Sequence, residues 1–268
     1  MKERLQNLAM ALVDQVMAVI PRPLPDEAAL RNCKIISHRG EHDNRTVMEN
    51  TLMAFDNART VGVWGLECDI RWTSDDVPVI CHDASTSRVF GVDIEIASVS
   101  FEQLRDALPD VPALEEVVNR FGGNTHLMLE LKSFDGDRLE RQRTALADVL
   151  KVLTPEEDYH FLALDPALFT LADFVAPSAL LPVAQTNVRA LSEISLQRSY
   201  CGLCGHYLLL GTELQHKHEA AGQRVGTGFP RSRNCLYREL GRGIEWIFSN
   251  DAVYLQGLLN ELRAAGRF

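Results

Sequence analysis

The sequence predicts an α/β barrel, eight parallel strands each followed by a helix, and three observations carry that reading. From Lys34 onward, short apolar runs alternate with helical patterns, as parallel strands joined by crossover helices require. The strand-like runs number nine, but two lie too close together for a parallel crossover. Counting one of these as the returning arm of a hairpin leaves the eight that a barrel needs. No linker, low-complexity tract or repeat interrupts the alternation, and 268 residues suffice for one barrel. A doubly wound open sheet is the alternative.

The elements follow in order. Residues 3–20 read as an amphipathic helix, because Leu5, Leu8, Ala9, Leu12, Val13, Val16, Met17 and Ile20 recur at three- and four-residue spacing. Pro21, Pro23 and Pro25 stop it. It is expected to pack on the barrel or plug its bottom. An anchor at a membrane interface is the less favoured reading, since the polar face carries Glu3, Gln6, Asp14 and Gln15 rather than a row of Lys and Arg. Residues 1–33 are thus a helix with a Pro-rich lead-in, and 34–268 the barrel. Strands are expected at 34–38, 65–73, 77–82, 125–132, 159–164, 179–185, 200–206, 224–228 and 245–249, with helices at 50–61, 113–121, 137–153, 166–175, 188–196, 213–221, 232–240 and 252–263. Strands 65–73 and 77–82 form the antiparallel hairpin extension after barrel strand 2. A turn between Asp75 and Asp76 would set Asp69 opposite His82.

Composition limits the partners. With 27 basic and 37 acidic residues the formal charge is −10, which repels nucleic acid and anionic membrane. An anionic substrate would therefore need a local cation, from Arg, Lys or a metal. No apolar run approaches the roughly 18–20 residues of a membrane span. The first residues lack a signal peptide's apolar core. Cysteines at 33, 68, 81, 201, 204 and 235 are too sparse for a disulfide scaffold, so a reducing cytoplasm is expected. Cys201 and Cys204 have no second pair at zinc spacing and read as core, whereas His216 and His218 read as solvated. No G-x-S-x-G, P-loop or G-x-G-x-x-G motif is present.

The chemistry concentrates in the first half. Period-two alternation puts Glu67, Asp69 and Arg71 on one face of a strand that has no solvated middle. Buried like charges two residues apart need a cation. In the next barrel strand His126, Met128, Glu130 and Lys132 point inward while Leu127, Leu129 and Leu131 face the helices. Three carboxylates, Glu67, Asp69 and Glu130, make an all-oxygen site suited to one hard divalent cation, Mg²⁺ or Ca²⁺. Lys132 adds positive charge for an anion. His38 and Arg39 end the first strand, at the barrel mouth where active sites are built. His38 and His82 beside a cation suit phosphodiester cleavage, one as base and one as acid.

His38-Arg39-Gly40, Glu49-Asn50-Thr51, Glu67-x-Asp69, His82-Asp83 and Leu129-Glu130-Leu131-Lys132 together resemble the motif set of the glycerophosphodiester phosphodiesterases, over about residues 34–250. That resemblance implies a (β/α)₈ TIM barrel of the kind shared with phosphatidylinositol-specific phospholipases C. It implies His38 and His82 as the acid/base pair and Glu67, Asp69 and Glu130 as metal ligands. Glu49 would contact metal or substrate hydroxyl, and Arg39 and Lys132 would bind phosphate. The substrate implied is a small glycerophosphodiester, cleaved to glycerol 3-phosphate and an alcohol.

The second half departs from the family pattern. Ala163-Leu164 stands where Ser-Phe is usual, Gly228-Phe229-Pro230-Arg231 replaces an aromatic-Thr-Val-Asn run, and Ser249-Asn250 replaces Thr-Asp. The alternatives are a lysophospholipase D or sphingomyelinase-D-like phosphodiesterase, and a non-catalytic barrel that binds phosphate or phospholipid.

Overall fold

The computed structural model describes residues 13–265. Its strands are β1 (Lys34–His38), β2 (Gly65–Trp72), β3 (Pro78–Ile80), β4 (His126–Leu131), β5 (Tyr159–Ala163), β6 (Leu180–Ala184), β7 (Gly202–His206), β8 (Arg224–Gly228) and β9 (Trp246–Ser249). All but β3 pair in parallel around a closed ring, β1-β9-β8-β7-β6-β5-β4-β2, which returns to β1. Closure excludes the open-sheet alternative and removes free strand edges. Ile36, Met128, Leu162, Leu181, Trp246 and Phe248 fill the barrel interior. Leu127, Leu129 and Leu131 pack outward against the helices with Leu66 and Ile70.

Residues 13–19 are helical (α1); the predicted stretch 3–12 lies outside the described residues. Next come α2 (Glu27–Asn32), α3 (Leu52–Thr60), α4 (Ser87–Phe90), α5 (Phe101–Ala107), α6 (Leu114–Phe121) and α7 (Leu139–Leu150). The second half adds α8 (Val188–Gln197), α9 (Thr212–Ala220), α10 (Arg233–Leu240) and α11 (Ala252–Ala264). The helix expected over 166–175 is instead a 3₁₀ stretch, Pro166–Ala172, with Pro at its first turn and Pro177 close behind.

Helix α1 does not plug the bottom. Asp14 accepts a hydrogen bond from the Tyr207 hydroxyl, and the Ala18 carbonyl accepts one from Asn234 at 2.6 Å. Tyr207 and Asn234 follow the C-terminal ends of β7 and β8, so α1 lies on the mouth side of the barrel. Its Val16 and Val19 stay 51% and 74% exposed.

The hairpin differs from expectation by one residue. Trp72 pairs with Pro78 and Ile70 with Ile80, so the turn centres on Asp75. Asp69 therefore faces Cys81, whose N–H donates to the Asp69 carbonyl at 2.9 Å. The cause is a three-residue loop in which Asp76 adopts φ 62° and the Thr73 hydroxyl bonds Asp75 at 2.6 Å. A segment unforeseen from the sequence, α4 to α5, follows β3. It has a small core of its own made by Val79, Cys81, Ile96, Leu104, Leu108 and Val111.

His218 corrects another expectation. It is fully buried, between the Ser192 hydroxyl at 2.8 Å and the Gln223 amide oxygen at 2.6 Å, because it falls on the face of α9 turned to the barrel. His216 is exposed. All six cysteines are free thiols.

Candidate active site

The tip of β1 bends sharply. Arg39 takes φ 61° and Gly40 φ 79°, a left-handed pair that turns the chain back across the barrel mouth. A side chain at Gly40 would put its Cβ 2.6 Å from the backbone carbon of Ala54 at the start of α3, so only glycine fits there. The Arg39 N–H donates to the Glu67 carbonyl at 3.0 Å, and the Asn50 N–H donates to the Arg39 carbonyl at 3.0 Å. Thr51 caps α3 by accepting from the Ala54 N–H at 3.2 Å. These bonds carry the 38–51 loop onto β2.

Glu67, Asp69 and Glu130 are buried and offer three carboxylate oxygens within 4.8 Å of one another. Among the described residues theirs is the grouping of His, Cys, Asp and Glu that is close enough to hold an ion. The parallel register explains the convergence, since Asp69 pairs directly with Glu130 across β2 and β4. Lys132 Nζ lies 2.8 Å from Asp69 Oδ1 and also pairs with Glu130. Arg39 Nε lies 3.1 Å from Asp69 Oδ2, and the Asn50 amide donates to that same oxygen at 2.7 Å. Glu67 Oε1 is buried with no hydrogen-bond partner.

The electrostatics follow from this crowding. Burial, then Asp69 and Glu130, push the Glu67 carboxyl well above its ordinary range. Glu130 rises for the same reasons, burial and then Asp69. Asp69 goes the other way: burial opposes it, but Lys132 and Arg39 hold it ionised. A buried carboxylate oxygen without a donor, in a trio facing only two cations, fits a divalent ion.

The two histidines flank the trio with different supports. The His38 Nδ1–H donates to Asn250 Oδ1 at 2.6 Å, which leaves the Nε2 lone pair 3.7 Å from Glu67 Oε2. Burial, then Arg39, lowers its pKa to about 3. Phe229 packs edge-on against the ring at 4.9 Å. The His82 Nδ1 is bonded to Asp83 Oδ1 at 2.6 Å, and its carbonyl is held by Arg71 at 2.7 and 2.9 Å. Burial lowers its pKa against the opposing pull of Asp69.

Glu49 is tied down rather than free. Arg88 reaches it at 2.6 Å and also pairs with Asp83, while Arg39 and the Asn44 amide hold it at 3.0 and 2.7 Å. Burial alone would raise Glu49, but Arg88, Arg39 and Asn44 outweigh it and bring it to about 2. Arg88 thus links the His82–Asp83 pair to the Glu49–Arg39 pair.

All eight residues singled out in the sequence meet at this mouth: His38, Arg39, Glu49, Glu67, Asp69, His82, Glu130 and Lys132. Asn50, Asp83, Arg88 and Asn250 join them without having been assigned roles. Asn50 and Asp83 sit inside the quoted motifs and Asn250 inside a noted departure. Arg88 carried no signal, since it sits in the unforeseen α4 segment.

Known proteins resemble this chain in two ways. The Glycerophosphoryl diester phosphodiesterase family matches over residues 38–162, the stretch that holds every quoted motif. Glycerophosphodiester phosphodiesterase 1 of Mus musculus is 36% identical over 116 residues, covering 36% of this chain and 34% of the mouse protein. A lysophospholipase D of Rattus norvegicus is 38% identical over 69 residues, covering 26% of this chain and 21% of its own. The chain thus spans about a third or less of these relatives' length. In three dimensions it resembles an Oleispira antarctica phosphodiesterase solved with sn-glycerol-3-phosphate, described there as the product. That likeness has a TM-score of 0.71 and 23% identity, over 85% of this chain and 96% of that one. A Thermotoga maritima glycerophosphodiester phosphodiesterase gives a TM-score of 0.69 and 20% identity, over 84% and 98%. These likenesses bear out the (β/α)₈ TIM barrel.

Proposed function

We infer that this relative of the glycerophosphodiester phosphodiesterases is itself a metal-dependent phosphodiesterase, cleaving a small glycerophosphodiester to glycerol 3-phosphate and an alcohol. The observation that carries the reading is the buried trio Glu67, Asp69 and Glu130, with Lys132 and Arg39 against it and a histidine on either side. The trio would hold one Mg²⁺ or Ca²⁺, which when bound neutralises charge on the phosphate oxygens. Lys132 and Arg39 add fixed positive charge at the same place. Lys132 is kept protonated by Asp69 and Glu130 although burial opposes it, so it offers a permanent cation to the phosphate.

His38 and His82 divide the proton work. Asn250 fixes the tautomer of His38, so its Nε2 presents a lone pair toward the carboxylates. Asp83 orients His82 and supports the imidazolium that forms when this ring takes a proton. One ring removes the proton of the attacking oxygen and the other delivers one to the leaving alkoxide, so charge is balanced across the step. Two rings with dedicated orienting partners disfavour a barrel that merely binds phosphate.

A second reading concerns the alcohol. Leu164, Leu208 and Leu209 follow β5 and β7 at the mouth and are 38%, 36% and 45% exposed, which would suit an apolar leaving group as in a lysophospholipase D. Turnover of glycerophosphocholine, with glycerol 3-phosphate and choline assayed in EDTA and after adding back Mg²⁺ or Ca²⁺, tests the main reading. Undiminished turnover in EDTA would overturn the metal, and absence of glycerol 3-phosphate from any glycerophosphodiester would overturn the substrate. Faster turnover of lysophosphatidylcholine would establish the second reading instead.

A further inference from the structure

The opposite end of the barrel holds a cavity of about 510 Å³, lined by Lys34, Trp64, His160, Arg224 and Trp246 among others. Lys34, Arg224 and Trp246 begin β1, β8 and β9, so the cavity opens at the strands' N-terminal ends. The length of β1 separates it from His38, about 13 Å at 3.3 Å per residue.

We propose that this floor cavity binds a small hydroxylated anion, a hydroxy acid or polyol phosphate. The anionic end has two cations to meet. Lys34 Nζ lies over the Trp64 ring at 5.0 Å and the Arg224 guanidinium over the Trp246 ring at 5.4 Å. Among the described residues Lys34 makes no ion pair, and Arg224 approaches only Glu245, at 3.6 Å. Glu156, a carboxylate on the cavity wall, is engaged by the Ser178 hydroxyl at 2.6 Å. The Trp246 ring lines the cavity wall beneath the Arg224 guanidinium.

The hydroxyl follows from a chain of forced donors and acceptors. The Glu157 carbonyl can only accept, so His126 donates to it from Nδ1 at 2.9 Å. The Nε2 of that ring then accepts from His160 Nδ1 at 2.8 Å. Burial keeps both rings neutral, so His160 is left with an unshared Nε2 lone pair on a residue only 4% exposed. A lone pair wants a donor, which a plain dianion lacks and a hydroxyl provides. Trp64, stacked on His126 at 4.2 Å, and His160, edge-on to Trp246 at 5.1 Å, hold these groups in place before any ligand arrives.

The test uses two dicarboxylates that differ by one hydroxyl, malate and succinate. The chain has three tryptophans, so ¹⁵N-indole spectra of the full chain report the cavity directly and need no turnover. Malate is expected to shift the Trp64 and Trp246 signals saturably and leave Trp72 still, with succinate at least about fivefold weaker. Lys34→Met and Arg224→Met should each weaken malate by about tenfold; Arg224 is half-exposed, so its loss leaves the fold intact. The proposal is overturned if neither compound shifts these signals at tens of millimolar, if both variants bind as the parent does, or if succinate matches malate. None of these outcomes bears on the phosphodiesterase reading.

Discussion

Glu67 is where charge, protons and the proposed ion would meet, and replacing it with Gln separates their effects. Three buried carboxylates face Lys132 and Arg39, and burial with Asp69 and Glu130 drives Glu67 above its unfolded value of 4.5. An acid raised in this way costs stability as pH rises through 4.5 and beyond, because the folded state then binds more protons than the unfolded chain. The ion-free protein therefore pays a penalty at neutral pH that Glu67→Gln removes, so its melting temperature in EDTA should rise. A divalent ion at a hundredfold over its Kd adds about 2.7 kcal/mol. At roughly 2–4 °C per kcal/mol for a chain of this size, the parent should melt about 5–10 °C higher with the ion than in EDTA. The same binding should expel protons, measurable by titration calorimetry in two buffers of different ionisation enthalpy. Glu67→Gln should lose both the thermal gain and the proton release. The reasoning fails if the parent melts identically in EDTA and with Mg²⁺ or Ca²⁺, or if Glu67→Gln is less stable than the parent in EDTA.

Three further outcomes are expected. His38→Ala and His82→Ala should each lower turnover of a glycerophosphodiester by at least about 10²-fold. A p-nitrophenyl leaving group, which needs no proton, should rescue only the variant that lacks the acid, and near-normal turnover in either removes that ring from the mechanism. Burial lowers His126 and His160 to about 4 and about 3, from 6.5 when unfolded, so their stability contribution is complete above 6.5 and falls away as the medium becomes more acid. At one pH unit below 6.5 each ring costs about 1.4 kcal/mol, and urea midpoints should show a shallower acid slope for His160→Gln than for the parent; equal slopes would refute the assignment. Gly40→Ala combines φ 79° with a Cβ 2.6 Å from Ala54 and should cost about 2–4 kcal/mol in urea unfolding, a prediction that parent-like stability would end.

What was legible in the sequence was what strand periodicity controls. Glu67 and Asp69, two apart and alternating with Leu66, Cys68 and Ile70, had to share a buried face, and Glu130 with Lys132 repeated the pattern on the neighbouring strand. Closure of the barrel followed from the alternation of runs and helices. The partner of Asp69 was not legible, because moving a hairpin turn by half a residue exchanges His82 for Cys81, and a left-handed Asp76 decided it. Arg88 was hidden because a four-residue helix has no periodicity to detect. The Ser100-x-x-Gln103 capping box was a readable sign of α5 in that same stretch. His218 shows the limit of reading polarity: its burial depends on Ser192 and Gln223, which lie 26 and 5 residues away.

The family match ends at residue 162, and so do the carboxylates and cations of the site. From β5 onward Asn250 returns to hydrogen-bond the His38 ring and Phe229 to pack against it. On the proposed reading the barrel is thus divided between a half that would handle phosphate and a half that carries none of those charged groups. Grafting other loops after β5, β6 and β7 should therefore, on that reading, change which alcohol is accepted while leaving the carboxylate and cation cluster intact. Asn250 is the seam: a graft that crosses it must bring an acceptor for His38 Nδ1, or the two halves cease to work as one.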